Sequence, residues 1–309
     1  MRVICILVLL FTVGCSDSYT PQPITHQTDA LVTSDWLEAN LTGPDIVVLS
    51  LGSTLESYRQ AHIATARFID WTQDISDQSK PALFNVLTPD AFELLMQRLG
   101  IDVDSTIVLY DNMTSRLSTR MFWMLRYYGH KKIHILDGGR DAWSRSGREF
   151  VSTKSSIIPS KYKITTINNA FITNKSYIES RLTDKNFTLV DGRPRDQYTG
   201  EVIGRTFHNS IAHKYPGHIY GAQSVPWQDN FNEDGTFKSA LELQEIYGIH
   251  GVDNSKTIVT YCNEGLHAAP PWFVLKEILG YSDVRLYDAS MAEWANISDV
   301  NLVLGEHCM

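Results

Sequence analysis

The chain has 309 residues, 43% of them apolar and 20% charged, enough for two globular domains at roughly 150 residues each. A net charge of −8 offers nucleic acid no bulk attraction and excludes it as an expected partner. The body of the chain lacks the apolar run of ~18 residues that a membrane-spanning helix needs.

The N-terminus reads MRVICILVLLFTVGCSDS. Arg2 is followed by an apolar run from Val3 to Val13, a pattern that predicts an export signal over residues 1–14. Gly14 directly before Cys15 resembles a bacterial lipoprotein cleavage site, although Thr12 stands where leucine is usual. The expectation is an exported, periplasmic protein lipidated on Cys15, with membrane contact through that anchor alone. An ordinary signal peptide with an incidental cysteine is the alternative. Residues 15–30, polar and proline-containing, read as a tether.

Three segments then recur in order. AHIATARFIDW (61–71) matches GHIYGAQSVPW (217–227), TIVLYDNMTSR (106–116) matches TIVTYCNEGLH (257–267), and MFWMLRYYGHKKIHILDGGRDAW (121–143) matches PWFVLKEILGYSDVRLYDASMAEW (271–294). The offsets stay near 151 residues, which predicts a duplicated domain of about 130 residues rather than a solenoid. The first copy is assigned to 31–149, a linker to 150–169 and the second copy to 170–309.

In the second copy, FTLVDGR (187–193), KTIVTYC (256–262) and DVRLYDAS (283–290) read as strands. ALELQEIYGIH (240–250), with apolar Leu241, Leu243, Ile246, Tyr247 and Ile249, reads as a helix, as does PWFVLKEILG (271–280), ended by Gly280. Strands and helices alternate, and the strands are almost continuously apolar. That predicts an α/β fold of two domains, each a mainly parallel sheet flanked by helices. In such sheets the active site lies past the carboxyl ends of the strands.

Cys262 ends its predicted strand at that edge. Asn263, Glu264, Gly265, Leu266 and His267 form the loop behind it, and Pro270 and Pro271 suit the first turn of the next helix. Loop amides and the helix N-terminus would then converge on one anion, lowering the thiol pKa and holding a charged sulfur. Two alternatives stay open: an inert buried cysteine at a strand end, and a disulfide with the penultimate residue, Cys308.

Together the motifs resemble the tandem rhodanese family of thiosulfate and 3-mercaptopyruvate sulfurtransferases. The matching residues are LVDGRPRDQYTGE (189–201), GHIYGAQSVPW (217–227), IVTYCNEGLHAA (258–269) and LYDASMAEW (286–294), with IVLYD (107–111) and LDGGRDAW (136–143) in the first copy. The resemblance implies a persulfide on Cys262, loaded from a small sulfur donor and unloaded to cyanide, a thiol or a thioredoxin-like protein, with no metal or organic cofactor. It also implies a catalytically silent first domain, because Asp111 stands where the second copy has Cys262.

This chain departs from the family pattern where thiosulfate-using members tend to carry basic residues. It has Glu264 in the loop and Gln197 before Tyr198. Arg193, Gln197 and Arg205 are the expected donor-binding residues, with Arg195, Lys214 or His267 as further sources of positive charge. For Arg193, an ion pair with Asp191 is the alternative. His218 is read as structural, and His208 and His213 have a metal-binding spacing without an evident third ligand. A phosphatase of the Cys-x5-Arg type is disfavoured because Ala268 stands where arginine is needed. A membrane-tethered persulfide carrier or partner-binding module is the alternative to an enzyme.

Overall fold

A computed structural model describes residues 28–79, 84–153, 155–296 and 302–306. The expected signal, Cys15, most of the tether, and Cys308 lie outside the described residues. The first sheet contains β1 (Leu31–Val32), β2 (Ile46–Ser50), β3 (Arg67–Phe68), β4 (Thr106–Tyr110) and β5 (Ile133–Leu136), ordered β1-β5-β4-β2-β3 and wholly parallel. The second uses β6 (Ile172–Thr173), β7 (Phe187–Asp191), β9 (Ala222–Ser224), β10 (Thr257–Tyr261) and β11 (Val284–Tyr287), ordered β6-β11-β10-β7-β9, again parallel. An antiparallel ribbon pairs β8 (His218–Ile219) with β12 (Leu302–Val303).

The duplication therefore holds at the level of strand order and register. Ser50 lies opposite Tyr110 as Asp191 lies opposite Tyr261, so Asp111 and Cys262 leave their sheets at equivalent points. The central strands β2, β4, β7 and β10 are buried at every position after the first. Helices cover both faces, which is why these strands read as apolar runs rather than as alternation.

Both predicted helices of the second copy form. One spans Ala240–Gly248 and starts from a capping box of Ser239 with Glu242; it buries Leu243 and Tyr247, whereas Leu241 and Ile249 face solvent. The other starts at Ala269 with Pro270 and Pro271 in its first turn, and turns π-helical over Val274–Ile278. Gly280 follows at φ +69°, a left-handed stop that a side chain would resist. The segment at 150–169 packs on the first domain. His62 and Val151 form a β-bridge, and Tyr162, buried against Phe92, accepts a hydrogen bond from Gln97 through its carbonyl.

Helix Arg116–Tyr127 is buried from Leu117 to Leu125 and lies against Ala269–Phe273 of the other copy. Residues that correspond in the repeat meet across this contact. Phe122 meets Phe273 edge-to-face at 4.9 Å, and Arg126 pairs with Glu277 at 2.8 Å. A pseudo-two-fold axis thus passes between the copies, and one apolar core spans both. Beside it, fully buried Arg120 pairs with Asp288 at 2.5 Å and donates to the Phe84 carbonyl at 2.9 Å. Removing one partner of such a buried pair typically costs about 3–5 kcal/mol, so this pair fixes the relative placement of the halves. No helix among the described residues is long and apolar enough to cross a membrane.

Candidate active site

The chain leaves β10 at Cys262 and turns at Gly265, whose φ is +82°. A side chain there would put Cβ 2.6 Å from the Asp288 carbonyl oxygen, so only glycine fits. Ser290 organises the turn. Its buried hydroxyl accepts the amides of Cys262 and Gly265, both at 3.1 Å, and donates to the Tyr287 carbonyl at 2.8 Å. Ser290 holds φ +50°, an uncommon backbone angle for serine; its counterpart in the first copy is Gly139, at φ +54°.

The thiol sits inside this turn and is only 1% exposed. It is free. The amide of Glu264 donates to Sγ at 3.4 Å, and those of Ala268 and His267 also turn towards it. The amide cradle thus reaches one residue beyond the expected loop, while the Gly265 amide serves Ser290 instead. The expected fall in thiol pKa is not observed. Burial pushes Cys262 up to about 11, the Glu264 charge adds to that, and the three amides only partly oppose it. Losing hydration outweighs the dipoles gained.

Glu264 does not face the donor side as a bare charge. Its buried carboxylate accepts the amides of Phe207 at 2.9 Å and His208 at 3.0 Å, and His208 Nδ1 lies 2.5 Å away. It therefore anchors the hairpin at 204–213, closed by a bridge between Arg205 and Ala212. Asn263 ties in the same hairpin. Its Oδ1 lies 2.9 Å from His213 Nε2, and its Nδ2 donates to Gln197 Oε1 at 2.9 Å. His208 and His213 thus both serve the cysteine loop.

Direct donor binding by Arg193 needs correction. The side chain is 1% exposed, and its guanidinium is committed to Asp191 at 2.6 Å and to the Gly217 carbonyl at 2.9 Å. It braces the strand end behind the loop. Arg205 and Lys214 are exposed, and Arg195 pairs with Glu306 at 2.7 Å. His218 is buried and stacked on Tyr198. His267 stacks on Trp227 at 5.3 Å, and burial together with Arg116 pushes its pKa down to about 3, so the imidazole is neutral.

Arg116 escaped the sequence reading. It comes from the first copy, and its Nη1 lies 3.2 Å from His267 Nε2, which as part of a neutral ring accepts. Its guanidinium sits over Trp227 at 4.7 Å and Phe207 at 5.3 Å. The repeat held the signal: Arg116 and His267 end the matched segments 106–116 and 257–267, and counterparts beside a two-fold axis meet.

In the first copy the same loop closes on a carboxylate. Asp111 Oδ1 accepts the amides of Met113 at 2.8 Å and Ser115 at 3.0 Å, and Oδ2 accepts that of Ser118 at 2.7 Å. Rhodanese-like domain models match residues 33–146 and 174–297, which together span most of the chain. The chain belongs to the rhodanese-like family. Among its relatives is a Mycobacterium tuberculosis protein named "Putative thiosulfate sulfurtransferase", 34% identical over 277 residues, covering 90% of this chain and 98% of the relative. Another is the Thermus thermophilus "Sulfur carrier protein TtuD", 34% identical over 281 residues at the same coverage. SseA from Escherichia coli, titled a 3-mercaptopyruvate sulfotransferase, superposes with a TM-score of 0.75 at 26% identity over 85% of this chain and 99% of its own. The tandem rhodanese-like architecture expected from the motifs is therefore the family's, and sulfur transfer is the chemistry its named relatives share.

Proposed function

We propose that this rhodanese-like protein moves a sulfane sulfur from a small anionic donor to a thiol or cyanide through a persulfide on Cys262. One observation carries the reading: three loop amides converge on Cys262 Sγ in the copy that has a cysteine, where the other copy binds a carboxylate. With thiosulfate, the Cys262 thiolate attacks the outer sulfur, the S–S bond breaks, and sulfite leaves with the electron pair. With 3-mercaptopyruvate, the C–S bond breaks and the departing enolate takes a proton to give pyruvate. An acceptor thiolate or cyanide then attacks the outer sulfur and returns Cys262 as thiolate. The amides stabilise the negative charge as it develops on sulfur.

The experiment is to treat the purified protein with either donor, then weigh it intact. A mass gain of one sulfur atom, lost on adding cyanide and absent in Cys262→Ser, is the expected result. No sulfur on Cys262 from either donor, with the protein folded, overturns the reading.

A second reading, a sulfur carrier loaded by another protein, is favoured by one observation. The resting thiol is buried and held up to about 11, which slows attack on small donors. Loading by a persulfidated protein but by neither small donor would select it. Export and lipidation at Cys15 complete the proposal, supported by Arg2, the apolar run after it and the Gly14–Cys15 pair.

A further inference from the structure

A donor site for thiosulfate or 3-mercaptopyruvate must seat an anion, and the second copy supplies little charge for that beside its own cysteine. Arg193 is committed to Asp191, the Glu264 carboxylate to the amides of Phe207 and His208, Gln197 and His267 are neutral, and Arg205 and Lys214 lie exposed to solvent. Arg120 is committed to Asp288. Arg116 differs from all of these. Among the described residues no carboxylate forms an ion pair with it. It donates through Nε to the Met113 carbonyl at 2.9 Å and through Nη1 to His267 at 3.2 Å, which leaves three of its five N–H groups for another acceptor.

The guanidinium is also held in place. The rings of Trp227 and Phe207 fix its plane. The neutral imidazole accepts from it, where a protonated one would repel it. His267 belongs to the amide cradle itself, so the cation borders the sulfur's own loop. We propose that Arg116, contributed by the copy without a cysteine, seats the anionic end of the sulfur donor, a sulfonate or a carboxylate, beside the Cys262 loop. The donor site is then complete only when both copies are present. This deepens the sulfurtransferase reading and rests on it.

The test compares wild type, Arg116→Gln and Arg116→Lys in two assays. In single-turnover loading of Cys262 over a range of thiosulfate concentrations, Arg116→Gln raises the half-saturating concentration about tenfold and leaves the limiting rate within about threefold; Arg116→Lys recovers most of the loss. In alkylation of Cys262, anionic iodoacetate slows about fivefold relative to neutral iodoacetamide in Arg116→Gln. Unchanged saturation overturns the proposal. So does a lower limiting rate at unchanged saturation, or equal slowing of both reagents, since those outcomes leave Arg116 only a packing role at the interface. A wild type that takes no sulfur from either donor overturns the sulfurtransferase reading, and the reagent ratio then still decides whether Arg116 draws anions to the thiol.

Discussion

The two copies fold the same loop around different chemistry. In the first, Asp111 presents a carboxylate to three amides. In the second, Cys262 offers comparable amides a buried thiol that resists ionisation. The fold thus builds an anion nest at the end of β4 and again at the end of β10, whatever residue stands there. One nest is filled at synthesis and serves structure. The other encloses a buried thiol, and under the proposed sulfur transfer its dipoles would act on the charge that develops on the reacting sulfur rather than on the resting thiol.

Making the second nest like the first has the largest expected effect. Cys262→Asp removes sulfur transfer by about 10³-fold or more, since a carboxylate cannot hold sulfane sulfur. It nevertheless leaves urea stability within about 1 kcal/mol of wild type, whereas an unpaired buried charge costs several. Loss of folding in that variant would mean the second loop is not an anion site. Next in size is Asp111→Ala, which strands three amides and lowers urea stability by about 3 kcal/mol. The limiting rate of sulfur loading at saturating donor, per folded molecule, stays within about twofold; a large fall there would give the first nest a part in the chemistry.

The smallest effect belongs to Glu264. Burial and the Glu264 charge hold the wild-type thiol up to about 11, so iodoacetamide alkylation rises about tenfold per pH unit from 7 to 10 without a plateau. Removing that charge in Glu264→Gln favours the thiolate, moves the pH–rate curve to lower pH and speeds alkylation about fivefold at neutral pH. Superimposable curves would show that Sγ does not feel the carboxylate.

Much of this comparison was legible in the sequence. The repeat offset aligned Asp111 with Cys262, and apolar runs marked the central strands. The thiol's burial was not, because the tight turn on Ser290 and the shared core that enclose it depend on distant segments. Glu264 reads as a repulsive charge until a hairpin some 57 residues away in the chain is seen to give it amides. Arg193 reads as a donor ligand until its guanidinium is seen wrapped around Asp191. Arg116 is a surface-like loop residue in the linear text, and only the axis relating the copies brings it to His267.

The tightest bend of the cysteine loop rests on the Arg120–Asp288 pair: a methyl group at Gly265 would lie 2.6 Å from the Asp288 carbonyl and 3.1 Å from Arg120 Nη1. Splitting the molecule at its midpoint would strand the Asp288 carboxylate directly beneath that bend. The half that carries the cysteine is therefore not a self-sufficient unit, and its partner, though it has aspartate at the matching position, supplies the floor on which the cysteine loop stands.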